Sequence, residues 1–167
     1  MRTSDGKIFF DSEGYSWTDP TSEIAREHNV SIGVNAAANF EEVQYDYIRL
    51  PIEPNVHLRS QYSSDERSAF ITEFTKEAAG ALHSVGAAIG VDIFGVASVA
   101  SDDSGIGQIL EDMALWVDYI CPMIYPSTWS KGWFGLDYPA AYPEEVTFAS
   151  VGSVSYTHLT LPTILLV

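Results

Sequence analysis

The sequence predicts an α/β fold: parallel strands with helices packed on them, forming part of a (β/α)8-type barrel. Three observations support this. Apolar segments at about 42–50, 87–95 and 117–125 have strand length, each interval between them holds a helix-forming segment, and no strand is followed by a glycine-rich phosphate loop. Alternating strands and helices make consecutive strands parallel, joined by right-handed crossovers. Without a GxGxxG or phosphate-loop signature the doubly wound nucleotide-binding arrangement loses its support, and a barrel is preferred. A fourth strand is expected at 145–151.

The first helix is expected to take Asp19 as N-cap with Pro20 at N1, where a missing N–H is harmless, and to run through Ala38. Within it VSIGVN, residues 30–35, reads as well as a strand by periodicity alone. The second helix opens with a capping box, Ser63 to Glu66. Its Phe70, Phe74, Ala78, Ala81, Leu82 and Val85 recur at helical spacing, and Gly86 ends it. Asp103 or Ser104 should cap a short third helix with Ile106, Ile109, Leu110 and Met113 as its buried stripe.

Composition narrows the function. Acidic residues exceed basic ones by 15 in a chain of 167, which argues against nucleic-acid or anionic-membrane binding, since both need basic patches. The single Cys121 rules out an internal disulfide framework and a multi-cysteine metal site, and a buried, inert thiol is expected there. No stretch is long enough to span a bilayer, and MRTSDGKIFF has no apolar run after its arginine. Both chain ends are expected to be non-native. Residues 153–167, SVSYTHLTLPTILLV, lack acidic residues and helical period and resemble a translated sequencing-adapter read-through. The domain is therefore placed at 1–152, with no functional residue, His158 included, taken from the tail.

Barrel active sites form at the C-terminal ends of the strands, and strand side chains alternate between lumen and helix layer. In EEVQYDYIRLP, Val43, Tyr45 and Tyr47 share the helix-facing side, and Glu42, Gln44 and Asp46 share the other. Asp46 lies nearest the mouth. Arg49 follows it, placed to pair with a carboxylate or to hold a substrate hydroxyl, and a purely structural Asp46–Arg49 ion pair is the alternative. On the second strand Asp92 sits among apolar residues beside Gly90 and Phe94, a setting that raises a carboxyl pKa by desolvation. Asp118 falls at the barrel bottom, where a stability role is the default. Met123 and Tyr125 reach the mouth, and Trp129, Trp133 and Phe134 crowd the next loop, either as flat platforms for sugar rings or as a barrel cap. Asp102-Asp103-Ser104-Gly105 has the oxygen donors for a cation, but helix capping explains it more simply. Glu111 and Asp112 read as a helix surface, and His28, His57 and His83 have no metal-site spacing.

VQYDYIRLP, VDIFGV, the gapless run DDSGIGQILEDMALWVDYICPMIYPSTW and WFGLDYP resemble a bacterial family of unknown function described as a "putative glycoside hydrolase domain". The resemblance covers roughly residues 15–148. It implies a TIM barrel distantly related to sugar-cleaving enzymes, in proteins often exported or attached to the cell envelope. It maps the motif positions onto Asp46, Arg49, Asp92, Glu111, Asp112, Met123 and Tyr125. The chain departs from the family in lacking the earlier barrel strands and in carrying Leu50 where the family has phenylalanine.

Glycoside hydrolysis needs one protonated and one ionised carboxyl across the scissile bond. Asp46, held charged by Arg49, is expected to be the nucleophile or base, and Asp92 the acid. Gln44, Arg49, Met123, Tyr125, Trp129 and Trp133 are the expected substrate contacts, with a carbohydrate as partner and no cofactor or metal. Two rivals stand: a carbohydrate-binding barrel without catalysis, and a metal-dependent hydrolase using Asp46, Asp92 and Asp102-Asp103. Oligomeric state, sugar identity and linkage are not legible, and the isolated chain, with unpaired strand edges, is expected to be inactive.

Overall fold

Three parallel strands form one sheet in the order β1–β2–β3: β1 is Glu42–Tyr45, β2 Ala88–Phe94 and β3 Tyr119–Met123. The computed structural model describes residues 1–53, 56 and 61–158; His57 and residues 159–167 lie outside them. The helices are α1 (Glu23–Ala37), α2 (Ser64–Ser84), α3 (Leu110–Ala114) and α4 (Pro143–His158). The expected α/β class and parallel order are observed, as a three-stranded segment of a TIM-type barrel.

Period-two alternation divides the sheet. Ile89, Val91, Ile93 and Ile120 point into the helix layer and are buried with Ala78, Leu82 and Met113, while Val43 and Tyr45 pack against the same core. Each fully buried large apolar side chain contributes about 1.5–3 kcal/mol relative to exposure. The opposite face carries Glu42, Gln44, Asp92 and Cys121, placed by the register that sets Gln44 beside Gly90 and Asp92 beside Cys121. A second small core of Phe9, Leu50 and Val56 joins the N-terminal arm to the segment after β1.

α2 keeps its capping box. The Ser63 amide donates to Glu66 at 2.8 Å and the Glu66 amide to the Ser63 hydroxyl at 3.3 Å. Its buried face is rotated from the expected stripe: Ile71, Phe74, Thr75, Ala78 and Leu82 face inward, and Val85 is exposed. Phe70 packs edge-on against Tyr62 instead.

Several expectations are corrected. α1 starts three residues late, with Ser22 as cap, because the Asp19 carboxylate accepts from the Thr21 amide (2.9 Å) and hydroxyl (2.7 Å) in a local turn. VSIGVN is helical. β1 ends at Tyr45 and β3 at Met123, both short of the expected limits. The segment 145–151 is helix rather than strand, since Val146, Ser150 and Val154 are fully buried at four-residue spacing behind Pro143, Glu144 and Glu145. α4 thereby runs across residue 152.

The third helix is not capped by Asp103. That carboxylate, 2% exposed, is held instead by Arg67 of α2 through a two-pronged pair at 2.7 and 2.8 Å. It also accepts from the Ser64 hydroxyl at 2.8 Å and from the Gly107 amide at 3.1 Å. Gly107 sits at φ +81°, where a side chain would press on the Arg67 carbonyl and Ile71. Burial alone would raise the Asp103 pKa; the Arg67 and Ser64 bonds outweigh it and hold the carboxyl below its ordinary range.

Asp103→Asn should cost about 1.5–3 kcal/mol, because it removes the charge that Arg67, only partly buried, is paired with. With its pKa lowered on folding, Asp103 stabilises the fold above the ordinary carboxylate range, and that contribution disappears as pH falls through the folded value. Denaturant titrations at neutral and acid pH should therefore show a shallower acid dependence in the variant than in the parent.

Candidate active site

The site starts where β1 leaves the sheet. Tyr45 is the last ladder residue; its ring stands edge-on to Phe74 at 5.3 Å and its hydroxyl donates to the Asn29 carbonyl. One further step of the register brings Asp46 alongside Asp92. There the chain turns, with Tyr47 in the left-handed region at φ +57° and its amide donating to the Asp46 carboxylate at 2.6 Å. Tyr47 therefore does not join Val43 and Tyr45 in the helix layer, and its side chain is exposed.

Asp92 is half-buried at the C-terminal half of β2. Gln44, its neighbour on β1, donates its amide to Asp92 Oδ1 at 2.5 Å. Burial raises the Asp92 pKa, the Gln44 bond works against this, and the Asp46 charge adds to the rise. Cys121, beside Asp92 on β3, is half-buried rather than enclosed, and its thiol is pushed up by burial and by the charges of Asp92 and Glu42. The strands thus bring Glu42, Gln44, Asp92 and Cys121 onto one surface, and Asp46, just past the end of β1, adds its charge to the field at Asp92.

Arg49 does not pair with Asp46. Its guanidinium lies 4.9 Å from the Trp17 ring, 4.9 Å from Phe94 and 5.3 Å from Tyr47, a cage of aromatic faces. One terminal nitrogen donates to the Leu50 carbonyl, and Nε has no partner among the described residues. Burial lowers its pKa, while Tyr47, Glu53, Asp46 and Asp11 pull the other way. Trp17 is fixed in turn by its indole N–H to Asp11 at 3.0 Å. A cleft of about 800 Å³ opens beside this cage, lined by Asp46, Arg49, Trp17 and Glu53 but by no residue of β2 or β3. It meets the lumen face only at Asp46. Asp92 does not line this cleft.

The mouth aromatics divide by exposure. Trp129, 8% exposed, is enclosed by Trp133 (5.0 Å) and Phe134 (4.8 Å), so the surface of this loop is presented by Trp133. Tyr125 is exposed and Met123 half-buried at the end of β3. Gly95 closes the other side: a side chain there would come within 2.7 Å of the Met123 carbonyl.

The remaining candidates lie elsewhere. Asp118 accepts from the Ile89 amide and meets His83, both at 2.9 Å, at the bottom of the sheet. Asp103 is committed to Arg67, Glu111 is exposed on α3, and Asp112 is half-buried there. Among the described residues, no three His, Cys, Asp or Glu side chains are grouped to hold a metal ion. No described helix is long and apolar enough to cross a membrane. Sequence reasoning missed Gln108, which is fully buried and bonded to the end of β2 and to Ile48, three residues past β1. An amide side chain between the apolar Ile106 and Ile109 was the available signal.

Solved structures of TIM-barrel-type glycosidases share this arrangement of parallel strands and outer helices. The glycoside hydrolase domain of PgaB (BpsB) from Bordetella bronchiseptica superimposes with a TM-score of 0.65 at 14% identity, over 94% of this chain and 51% of that one. The "putative sporulation-specific glycosylase ydhD" of Bacillus subtilis gives 0.59 at 16% identity, over 94% and 48%. A Group IV chitinase of Ostrinia furnacalis, in complex with allosamidin, gives 0.53 at 14%, over 80% and 38%. The chain thus spans about half the length of the first two. No curated protein matches it. The family model described as "Putative glycosyl hydrolase domain" matches residues 1–162, and the chain belongs to that family.

The electrostatics of the pair can be read by carboxyl ¹³C NMR. Asp46→Asn should move the Asp92 titration to lower pH by removing a neighbouring negative charge. Gln44→Leu should move it higher by removing the hydrogen bond that favours the carboxylate.

Proposed function

We propose that the protein hydrolyses an O-glycosidic bond of a carbohydrate with Asp46 and Asp92 as its two carboxyl groups. The observation that carries this reading is Asp92: half-buried, raised in pKa by burial and by the charge of Asp46, and placed at the C-terminal end of a barrel strand. In this mechanism Asp92 donates its proton to the glycosidic oxygen as that bond breaks. Asp46, exposed and oriented by the Tyr47 amide, attacks the anomeric carbon or activates the water that does. Neighbouring strands lie about 4.8 Å apart, which favours the short carboxyl separation of about 5–5.5 Å used by retaining enzymes.

Gln44 fixes one oxygen of Asp92 and leaves the other for substrate. Arg49, together with Met123, Tyr125 and the Trp133 surface, would hold the sugar, and the Trp129 ring would back that surface. Because one structure of this fold is a chitinase bound to allosamidin, chitin oligosaccharides head the substrates to try. A site at the cell envelope or outside the cell fits a polysaccharide substrate. The functional residues are placed within 1–152, with no part assigned to the tail at 153–167.

Asp46→Asn and Asp92→Asn in the full-length protein should each lower turnover about 10²–10⁴-fold while sugar binding, followed by calorimetry, persists. Product NMR should show retained anomeric configuration. Sugar binding without turnover in the intact parent protein would assign a carbohydrate-binding barrel instead.

A further inference from the structure

We infer that Gln108 is a positioning residue: its buried carboxamide replaces the missing peptide of β1 and fixes Asp46 and Asp92 relative to each other. The inference rests on the reading of that pair as the reacting groups.

In a parallel ladder, one residue of the neighbouring strand donates its N–H to a carbonyl on one side of the opposite residue. Its carbonyl accepts from the amide on the other side. β2 receives such a partner from β1 only as far as Val91. Beyond it the Asp92 carbonyl and the Phe94 amide, which flank Ile93, lose their neighbour as β1 turns away at Tyr47. Gln108 supplies both halves of the missing unit. Its Nε2 donates to the Asp92 carbonyl at 3.2 Å and its Oε1 accepts from the Phe94 amide at 2.8 Å. A side-chain amide has the same donor and acceptor as a peptide group, so the substitution is chemically matched.

The second Nε2 hydrogen reaches the Ile48 carbonyl at 3.3 Å, two residues past Asp46. One carboxamide therefore ties the departing end of β1 to the strand that carries Asp92. Gln108 itself is 1% exposed, so its bonds are shielded from water. Its loop is anchored one residue earlier, where the Gly107 amide donates to Asp103, and the Ile106 carbonyl accepts from the Leu50 amide at 2.7 Å.

Gln108→Met keeps length and burial while removing all three bonds. In this variant the Asp92 carboxyl should titrate at lower pH than in the parent, because water enters and the charge of Asp46 recedes. The groups facing Asp92 that bear on this titration are Asp46, Gln44 and Cys121. Leu82→Ala, a core truncation at the far end of α2, should lower the melting temperature at least as much and leave that titration in place. In the parent protein the Phe94 amide should exchange hydrogen slowly, at the rate of a ladder amide. In the full-length enzyme Gln108→Met should lower kcat by about 10²-fold with KM little changed, as expected for a small misplacement of reacting groups. An Asp92 titration unmoved by Gln108→Met, or a Phe94 amide exchanging as fast as an unpaired one, overturns the assignment. Neither readout requires turnover, so failure of the carboxyl-pair reading itself, seen as full activity in Asp46→Asn, is told apart from it.

Discussion

The mouth of this half-barrel is set by one event, the departure of β1 from the sheet after Tyr45. A parallel strand that stops pairing leaves its neighbour with unpaired backbone groups, and buried ones cost about 1–3 kcal/mol each. Here the deficit on β2 is made good from a loop. That loop is in turn fixed to α2 through Asp103 and Arg67. A continuous line of polar contacts therefore runs from the outer helix to the strand ends. It lets the backbone at Asp46 and Tyr47 adopt a turn that no regular strand permits.

Charge on the open face follows from the same geometry. Among the described residues no cation is paired to Glu42, Asp46 or Asp92, and Arg49 is drawn aside into the rings of Trp17, Tyr47 and Phe94. A guanidinium stacked on aromatic faces leaves the carboxyls unneutralised. Burial is what chiefly favours a proton on Asp92, and the charge of Asp46 adds to it. Arg49 contributes by joining the N-terminal arm to β2, a bracing role distinct from charge compensation.

Much of the scaffold was legible because it rests on local rules. The capping box at Ser63, the existence of β2 and the two faces of residues 42–45 all follow from short-range patterns. The errors have physical causes. Asp19 and Asp103 both look like caps, yet one bonds its own turn and the other is captured by Arg67, 36 residues away. Residues 145–151 carry apolar positions that suit either period until tertiary burial selects the helix. Arg49 seemed a partner for Asp46 by proximity in sequence, and the rings that claim it come from three separate segments. Gln108 was invisible for the same reason: its partners at 48, 92 and 94 become neighbours only once the sheet is formed.

The close approach of Gly95 to the Met123 carbonyl has a consequence for how such a site could diversify. Any side chain at that position would wedge β2 from β3 and disturb the register that sets Asp92 beside Cys121. Position 95 thus belongs to the inherited frame, as Gly107 does. Tyr125 and Trp133, whose side chains face solvent, are free to vary without touching it. New sugar preferences would be expected to arise by exchange at those rim positions, on a frame whose glycines stay fixed.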